Sequence, residues 1–320
     1  MKKLLIGVLL LFLLTGCAID KRATATSFVA RPYMVIEDSF LGNGISYLYE
    51  EPSSAWKTTK LSLEYQGKPV FYVNNLNEFA VLLYHVFEND FENRDILIIT
   101  PKTISELQVY YLLYAIMPDN IDLSTLKTNI EVGSSVVRVL QVNWFRMDDN
   151  NYQEMVAFAK EFADNMEEGI TDRQKVRLIH DYLIKNAEYD NYAYNHIDDD
   201  SIYWHSSSPF AIIMEKKGMC LGYSKAFFVM ARAAGIPVLT VTGIANGGGH
   251  AWNLVYLEGE WYQIDLTFDD PVPDVKGRTN YDYYLRAMSR GSWWNHTYDT
   301  YPFSIEEIIE IGNQLYGLSE

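Results

Sequence analysis

The amino-acid sequence predicts an α+β fold divided between a smaller domain over residues 31–147 and a larger one over 148–320. In the first part, short strand-like segments alternate with segments of helical periodicity. The second part opens with amphipathic helices, then contains a helix that starts at Cys220 and two strands joined by a tight turn. A chain of 320 residues allows two domains or one large domain with elaborations, and the change of pattern near residue 148 favours two.

The smaller domain is predicted to contain both element types and carries no chemical motif. Strands are expected over 70–73, 96–99 and 136–142, where apolar and β-branched residues cluster. Helices are expected over 76–87 and 105–116, where apolar residues recur at helical spacing.

The composition excludes some classes of partner. The formal net charge is -16, whereas proteins that bind a phosphate backbone carry clustered Lys and Arg, so no nucleic acid is expected. The same charge opposes electrostatic binding to an anionic membrane surface. The 24 Tyr and 7 Trp suit either a core or a groove that stacks on sugars or extended peptides.

The N-terminus resembles a bacterial lipoprotein signal. Lys2 and Lys3 precede an apolar stretch from Leu4 to Leu14, which is too short to cross a bilayer core of about 30 Å. The following Leu-Thr-Gly-Cys resembles a lipobox, which implies cleavage before Cys17 and lipid attachment to its thiol. Residues 1–16 are then a signal peptide, 17–30 a tether, and the protein extracytoplasmic and membrane-anchored. The alternative is an ordinary signal peptide with a chance cysteine.

Lipidation would leave Cys220 as the one remaining thiol, because the sequence contains only two cysteines. An unpaired cysteine in an exported protein is either a liability or a reactive group. The helix expected to begin at Cys220 ends at Gly235 and Pro237. A helix N-terminus favours the thiolate and offers backbone N–H groups to an oxyanion.

A histidine and an aspartate follow on a predicted hairpin. One strand starts at His250, and a second runs over 261–271 and ends at Asp-Pro. With a two-residue turn at 258–259, residue 252 faces 265, so His250 and Asp265 share a face as diagonal neighbours. Alternatively, Cys220 is a small buried hydrophobe and the other two residues are structural. Because a thiol, an imidazole and a carboxylate occur together in this order, a catalytic role for the three residues is favoured over the structural one.

Residues 170 to about 296 resemble the transglutaminase-like superfamily. The shared motifs are Gly-x-Cys entering a helix, Gly-Ile-Pro after it, His-Ala-Trp-Asn opening a strand, and Trp-Tyr-x-x-Asp-x-Thr-x-Asp-Asp-Pro. The resemblance implies a papain-like core, in which the nucleophile helix packs on an antiparallel sheet. It also implies that Cys220 is the nucleophile, His250 the base and Asp265 the orienting acid. Trp252 and Asn253 match positions that pack around the histidine, and the segment from Tyr189 to Tyr192 matches one upstream of the cysteine.

Other residues are open to both structural and functional interpretations. Trp252, Tyr223 and His205 are candidates for lining the site, and Tyr223, His205 or Ser206 could be a second oxyanion donor, although structural roles are favoured. Asp269 and Asp270 fit a turn better than a cation site. His296 is expected to pack beside the site. No zinc or serine hydrolase motif occurs, so neither a metal nor a cofactor is expected.

The predicted function is acyl transfer through a Cys220 thioester on amide bonds. Water as the acceptor gives a peptidase or amidase, and an amine gives a cross-linking transglutaminase; the sequence does not choose between them. Surface proteins or cell-wall peptides are the expected substrates. The alternative is a catalytically inactive surface binding protein of the same fold.

Overall fold

A computed structural model describes residues 31–32, 61–65, 68–73, 75–88, 95–101, 103–116, 126–132, 135–141, 149–270, 272–273, 275, 279–298 and 303–318. These residues fall into two compact units. The predicted signal peptide, the lipidation site Cys17 and the tether lie outside the described residues. Within the described ranges, no helix has both the length and the apolar character that a membrane span requires.

The first unit is built on a six-stranded mixed sheet with the strand order β1-β2-β3-β4-β6-β5. Only β3 and β4 pair in parallel among these described strands, and helix α1 supplies the crossover that a parallel pair requires. The predicted strands and helices of this part are confirmed. The elements are β1 (Arg31–Pro32), β2 (Leu61–Tyr65), β3 (Lys68–Tyr72), α1 (Leu76–Glu88), β4 (Asp95–Pro101), α2 (Glu106–Ile116), β5 (Leu126–Val132) and β6 (Ser135–Gln141).

The second unit combines helices with a five-stranded antiparallel sheet of order β12-β11-β10-β9-β13. Its elements are α3 (Asp149–Asp164), α4 (Asp172–Asn186), β7 (Glu188–Tyr189), α5 (Asn191–Tyr194), α6 (Asp200–Ser206), α7 (Pro209–Ile213), β8 (Lys217–Gly218), α8 (Cys220–Ala233), β9 (Val238–Ala245), β10 (Gly248–Leu257), β11 (Glu260–Ile264), α9 (Leu266–Asp269), β12 (Arg286–Ala287), a 3-10 turn (Met288–Arg290), β13 (His296–Tyr298) and α10 (Ile305–Leu315).

Helix α8 is the centre of this unit. Every residue from Leu221 to Ala231 is buried, and the helix packs against β9 and β10 on one side and α3, α4 and α7 on others. Its predicted end is confirmed, because Gly235 has a φ of 75°, a left-handed conformation that glycine adopts without strain. A helix buried against an antiparallel sheet is the α+β architecture expected from the sequence.

The β10–β11 hairpin has the predicted register. Leu257 pairs with Glu260 across a two-residue turn, in which Glu258 and Gly259 have φ values of 56° and 88°. The second predicted strand is wrong beyond Ile264, since the next residues form the short helix α9. Asp265 caps this helix, and its carboxylate accepts hydrogen bonds from the backbone N–H groups of the second and third residues after it. Those N–H groups are therefore hydrogen-bonded without a neighbouring strand.

Asn253 of β10 ties the sheet to helix α8. Its fully buried Nδ2 donates to the carbonyl of Ser224 at 3.0 Å, and it lies 3.3 Å from both the carbonyl of Leu239 and Oγ1 of Thr240. A buried donor of this kind stabilises only the geometry in which its acceptors are present. It thus fixes the helix against β9 three residues after His250 along the same strand.

Two glycines flank Cys220 and allow another backbone segment to approach closely. A β-carbon on Gly218 or on Gly222 would lie 2.7 Å from the carbonyl oxygen of Ser206. The same carbonyl accepts the N–H of Met219 at 2.9 Å. The end of α6 therefore fixes the start of α8 by backbone contact, and this requires glycine on both sides of the cysteine.

We expect Gly222→Ala to lower the free energy of unfolding by about 1–3 kcal/mol, the usual cost of an added methyl in a packed site. The effect opposes helix propensity, which favours alanine by about 1 kcal/mol. Urea unfolding of the full chain measures it. The matched control is Gly249→Ala, whose β-carbon would meet nothing within 4 Å. A Gly222→Ala protein as stable as the wild type would contradict this packing.

Candidate active site

Cys220 is the first residue of helix α8 and is partly exposed. Met219 precedes it in extended conformation and makes no side-chain cap. The first backbone N–H groups of a helix have no intrahelical acceptor, and the helix dipole is positive there. The thiol therefore lies where a negative charge is favoured and where backbone donors are available to an oxyanion.

His250 connects the thiol to a buried carboxylate. Its Nε2 lies 2.7 Å from Oδ2 of Asp265, and the exposures of the two side chains are 6% and 0%. The Cys220 thiol also interacts with the imidazole and raises the pKa of His250. Because Nε2 donates to the carboxylate, Nδ1 is the ring nitrogen left for the thiol. The structure thus brings together all three residues that the sequence analysis grouped.

The charges of the pair stabilise each other. Burial alone lowers the pKa of His250, but the charge of Asp265 and its hydrogen bond outweigh burial and, with Cys220, raise this pKa to about 10. Burial alone would raise the pKa of Asp265, yet His250 and His296 lower it below its ordinary value. At neutral pH the site therefore favours an imidazolium next to an ionised carboxylate.

The carboxylate of Asp265 receives four hydrogen bonds. Oδ1 accepts the backbone N–H groups of Thr267 and Phe268 at 3.0 and 3.3 Å. Oδ2 accepts one hydrogen bond from Nε2 of His250 at 2.7 Å and another from Nε2 of His296 at 2.9 Å. His296 was expected to pack beside the site, and it does; its direct bond to the carboxylate was missed. The sequence offered no signal for this bond, because His296 lies 31 residues beyond Asp265.

His250, Asp265 and His296 also form a set of potential metal ligands, with ligand atoms within 4.8 Å of one another. Two ligands of one tetrahedral zinc ion at about 2.0 Å lie roughly 3.3 Å apart. The nitrogen–oxygen distances of 2.7 and 2.9 Å are shorter and fit charge-assisted hydrogen bonds. We therefore interpret the set as a proton-sharing network.

The other predicted site residues have separate positions. Trp252 is buried against the histidine, with its ring stacked on His250 at 5.9 Å and 22°. Tyr223 is buried, and its hydroxyl donates to the carboxylate of Asp270. This bond engages the hydroxyl within the core and fits the structural role that the sequence analysis favoured for Tyr223 over a role in lining the site. His205 is exposed, and its Nε2 lies within hydrogen-bond distance, 2.6 Å, of Oε2 of Glu215 at the surface.

Asp269 and Asp270 attach the acid-bearing segment to two helices. Oδ2 of Asp269 lies 3.1 Å from Nε2 of the fully buried His180 on α4, and burial raises the pKa of Asp269. Asp270 binds Tyr223 on α8. Both acids thus have structural partners, but they lie at the end of helix α9 and not in the strand-terminating turn that the sequence predicted.

The segment upstream of the cysteine also reaches the site. Burial raises the pKa of the Tyr189 hydroxyl well above its ordinary value, and the nearby Cys220 raises it further. Asp190 accepts a hydrogen bond from the Ser206 hydroxyl at 3.3 Å and caps helix α5. Ser206 is therefore held by Asp190 as well as by α8, a structural role.

The fold and the site define a papain-like α+β domain. Residues 158–266, which include Cys220, His250 and Asp265, match the family model of the transglutaminase-like superfamily. This part of the chain is therefore similar to the transglutaminase-like superfamily.

Two curated relatives match part of this chain. Kyphoscoliosis peptidase from Homo sapiens and from Mus musculus is 33% and 32% identical over 125 residues, 35% of this chain. The chain spans 18% of the length of these relatives. Among solved structures, the crystal structure of a TGase is 17% identical, covers 68% of this chain and 67% of its own, and has a TM-score of 0.32.

We expect Asp265→Asn to lower the pKa of His250 from about 10 to about 6.5 or below. The substitution removes the charge that raises the pKa and leaves burial, which lowers it. At pH 7.5 the imidazolium should change to neutral imidazole. A titration of ¹³Cε1-labelled histidines by NMR, with His250 assigned from His250→Gln, measures the shift. An unchanged titration in Asp265→Asn would show that the carboxylate does not set the charge of His250.

Proposed function

We propose that this protein is a cysteine-dependent enzyme that transfers acyl groups from amide bonds through a Cys220–His250–Asp265 triad. The observation that carries the proposal is the position of His250. One ring nitrogen binds the carboxylate at 2.7 Å, and the ring lies close enough to the Cys220 thiol for the thiol to raise the pKa of His250. This order of nucleophile, base and orienting acid is the arrangement that activates a thiol for attack.

In the first step the thiolate of Cys220 attacks the carbonyl carbon of an amide. The carbon–sulfur bond forms, and the oxyanion accepts hydrogen bonds from backbone N–H groups at the start of α8. The carbon–nitrogen bond then breaks as the His250 imidazolium gives its proton to the leaving amine. Asp265 keeps the imidazole oriented throughout.

In the second step a nucleophile resolves the thioester. His250 takes a proton from water or from an amine, the new carbon–oxygen or carbon–nitrogen bond forms, and the carbon–sulfur bond breaks. A protein or cell-wall peptide is the proposed substrate. In support, the indole of Trp294, two residues before His296, is 89% exposed and offers an apolar surface for an extended chain.

We also propose that the enzyme acts outside the cytoplasm, held to a bacterial membrane by lipid on Cys17. The support is the N-terminal pattern of two lysines, an apolar stretch and Leu-Thr-Gly-Cys. Two or more acyl chains anchor a protein stably.

The activity test incubates the full chain in detergent with a peptide library and a primary amine, followed by mass spectrometry. We expect peptides cleaved at amide bonds, or peptides with the amine incorporated, and either product should fall at least about 1000-fold in Cys220→Ala. Cys17→Ser is the matched control, because it removes the other cysteine and leaves the triad unchanged.

Thiol labelling separates the remaining outcomes. In Cys17→Ser, Cys220 should react with iodoacetamide faster near pH 7 than the thiol of a free cysteine does. If Cys220 reacts no faster and no amide substrate changes, the enzyme proposal fails and the alternative of an inactive binding protein takes its place.

The anchor is tested by fractionation of a bacterial host that processes lipoproteins. The wild-type chain should sediment with membranes and carry an added lipid mass on Cys17, whereas Cys17→Ser should lose both. Cys220→Ala serves as the control and should stay in the membrane fraction. Unmodified Cys17 in the wild-type chain would contradict the proposal.

A further inference from the structure

His296 makes the second imidazole contact to the catalytic carboxylate. It is the first residue of β13, pairs with Ala245 of β9, and is 2% exposed. Its Nε2 donates to Oδ2 of Asp265 at 2.9 Å, the same oxygen that accepts His250 at 2.7 Å. Oδ2 thus accepts hydrogen bonds from two histidines, while Oδ1 accepts hydrogen bonds from two backbone N–H groups.

The ring of His296 is itself held from several sides. Its Nδ1 lies 2.9 Å from Oδ1 of Asn295, and the amide nitrogen of Asn295 donates to the hydroxyl of Tyr283 at 2.9 Å and to Oδ1 of Asn246 at 3.1 Å. Trp252 packs edge-on against the ring at 5.0 Å. A side chain with this many fixed partners has one orientation, so its Nε2–H points at Asp265.

We propose that His296 is a positioning residue that fixes the Asp265 carboxylate and shares its charge, and so sets how strongly Asp265 stabilises the His250 imidazolium. This inference rests on the proposed function. A carboxylate with a single imidazole donor would stabilise the His250 imidazolium more strongly, whereas the imidazolium must release its other proton, on Nδ1, to the leaving amine. A second donor on the same oxygen weakens this stabilisation of the imidazolium and leaves the position of His250 unchanged.

The groups around His296 support an electrostatic role. The titratable groups that face it are His250 on β10, Asp265 at the cap of α9, and Tyr283, whose ring lies 5.4 Å away. Cys220 lies beyond His250, and Asp269 interacts with Asp265. Among the described hydrogen bonds, Asp265 provides the one carboxylate that His296 contacts. The electrostatic effect of His296 on His250 is therefore expected to act through Asp265.

The test compares His296→Phe, which keeps an aromatic ring and removes the donor, with His296→Gln, whose side-chain amide can still donate to Asp265. Both are made in the full chain carrying Cys17→Ser, so that Cys220 is the only thiol. The exposed His196 provides the matched control, His196→Gln. The readouts are the rate of Cys220 alkylation by iodoacetamide against pH, kcat and KM on a substrate from the activity test, and the urea midpoint.

In His296→Phe we expect kcat to fall about tenfold, with a smaller change in KM. The alkaline step of the alkylation profile, where the His250 imidazolium loses its proton, should move up by about half a pH unit or more, because Asp265 then stabilises the imidazolium more strongly. His296→Gln should recover most of kcat and return the step toward the wild-type pH. His196→Gln should match the parent protein.

The outcomes distinguish this inference from the proposed function. If the parent protein neither turns over amides nor shows accelerated alkylation, the proposed function fails. If the parent is active but His296→Phe leaves the alkaline step in place, His296 is only structural and the inference is overturned. A folded His296→Gln that recovers neither kcat nor the step also overturns it, and this variant keeps the test decisive if His296→Phe does not fold.

Discussion

The carboxylate of Asp265 lies fully inside the protein, where an isolated charge would cost several kcal/mol. Both of its oxygens are satisfied, one by two backbone N–H groups of α9 and the other by the imidazoles of His250 and His296. The backbone donors exist because the chain turns into a short helix after Asp265. The helix, the hairpin and β13 therefore meet at this one group, and the charge of His250 depends on it.

The thiol is positioned by different means. Helix α8 begins where the carbonyl of Ser206 approaches Gly218 and Gly222, and Asn253 fixes the helix to the sheet from the other side. These are backbone contacts and amide hydrogen bonds, which leave little freedom of movement. His250 lies on the same strand as Asn253, so the interaction that places the helix also places the base relative to the thiol.

Asp269 and Asp270 connect the segment that carries Asp265 to helices α4 and α8. Asp269 binds His180 on α4, and Asp270 binds Tyr223 on α8. Each bond is buried, and breaking it would leave a buried polar group without its partner. The motif Asp-x-Thr-x-Asp-Asp therefore combines one carboxylate at the imidazoles with two that hold the surrounding helices in place.

Local rules in the sequence determined the ends of α8, the two-residue turn at Glu258 and Gly259, and the register that makes His250 and Asp265 neighbours. Each depends on residues close in the chain, through glycine conformation, helix termination and strand alternation. The strand predicted beyond Ile264 was wrong because a competing local preference, capping by Asp265, was not weighed. Only the tertiary structure decided that Tyr223 bonds Asp270 and that His296 reaches Asp265. Those contacts join segments separated by 47 and 31 residues, and packing of distant strands and helices, which no local pattern encodes, sets where such side chains point.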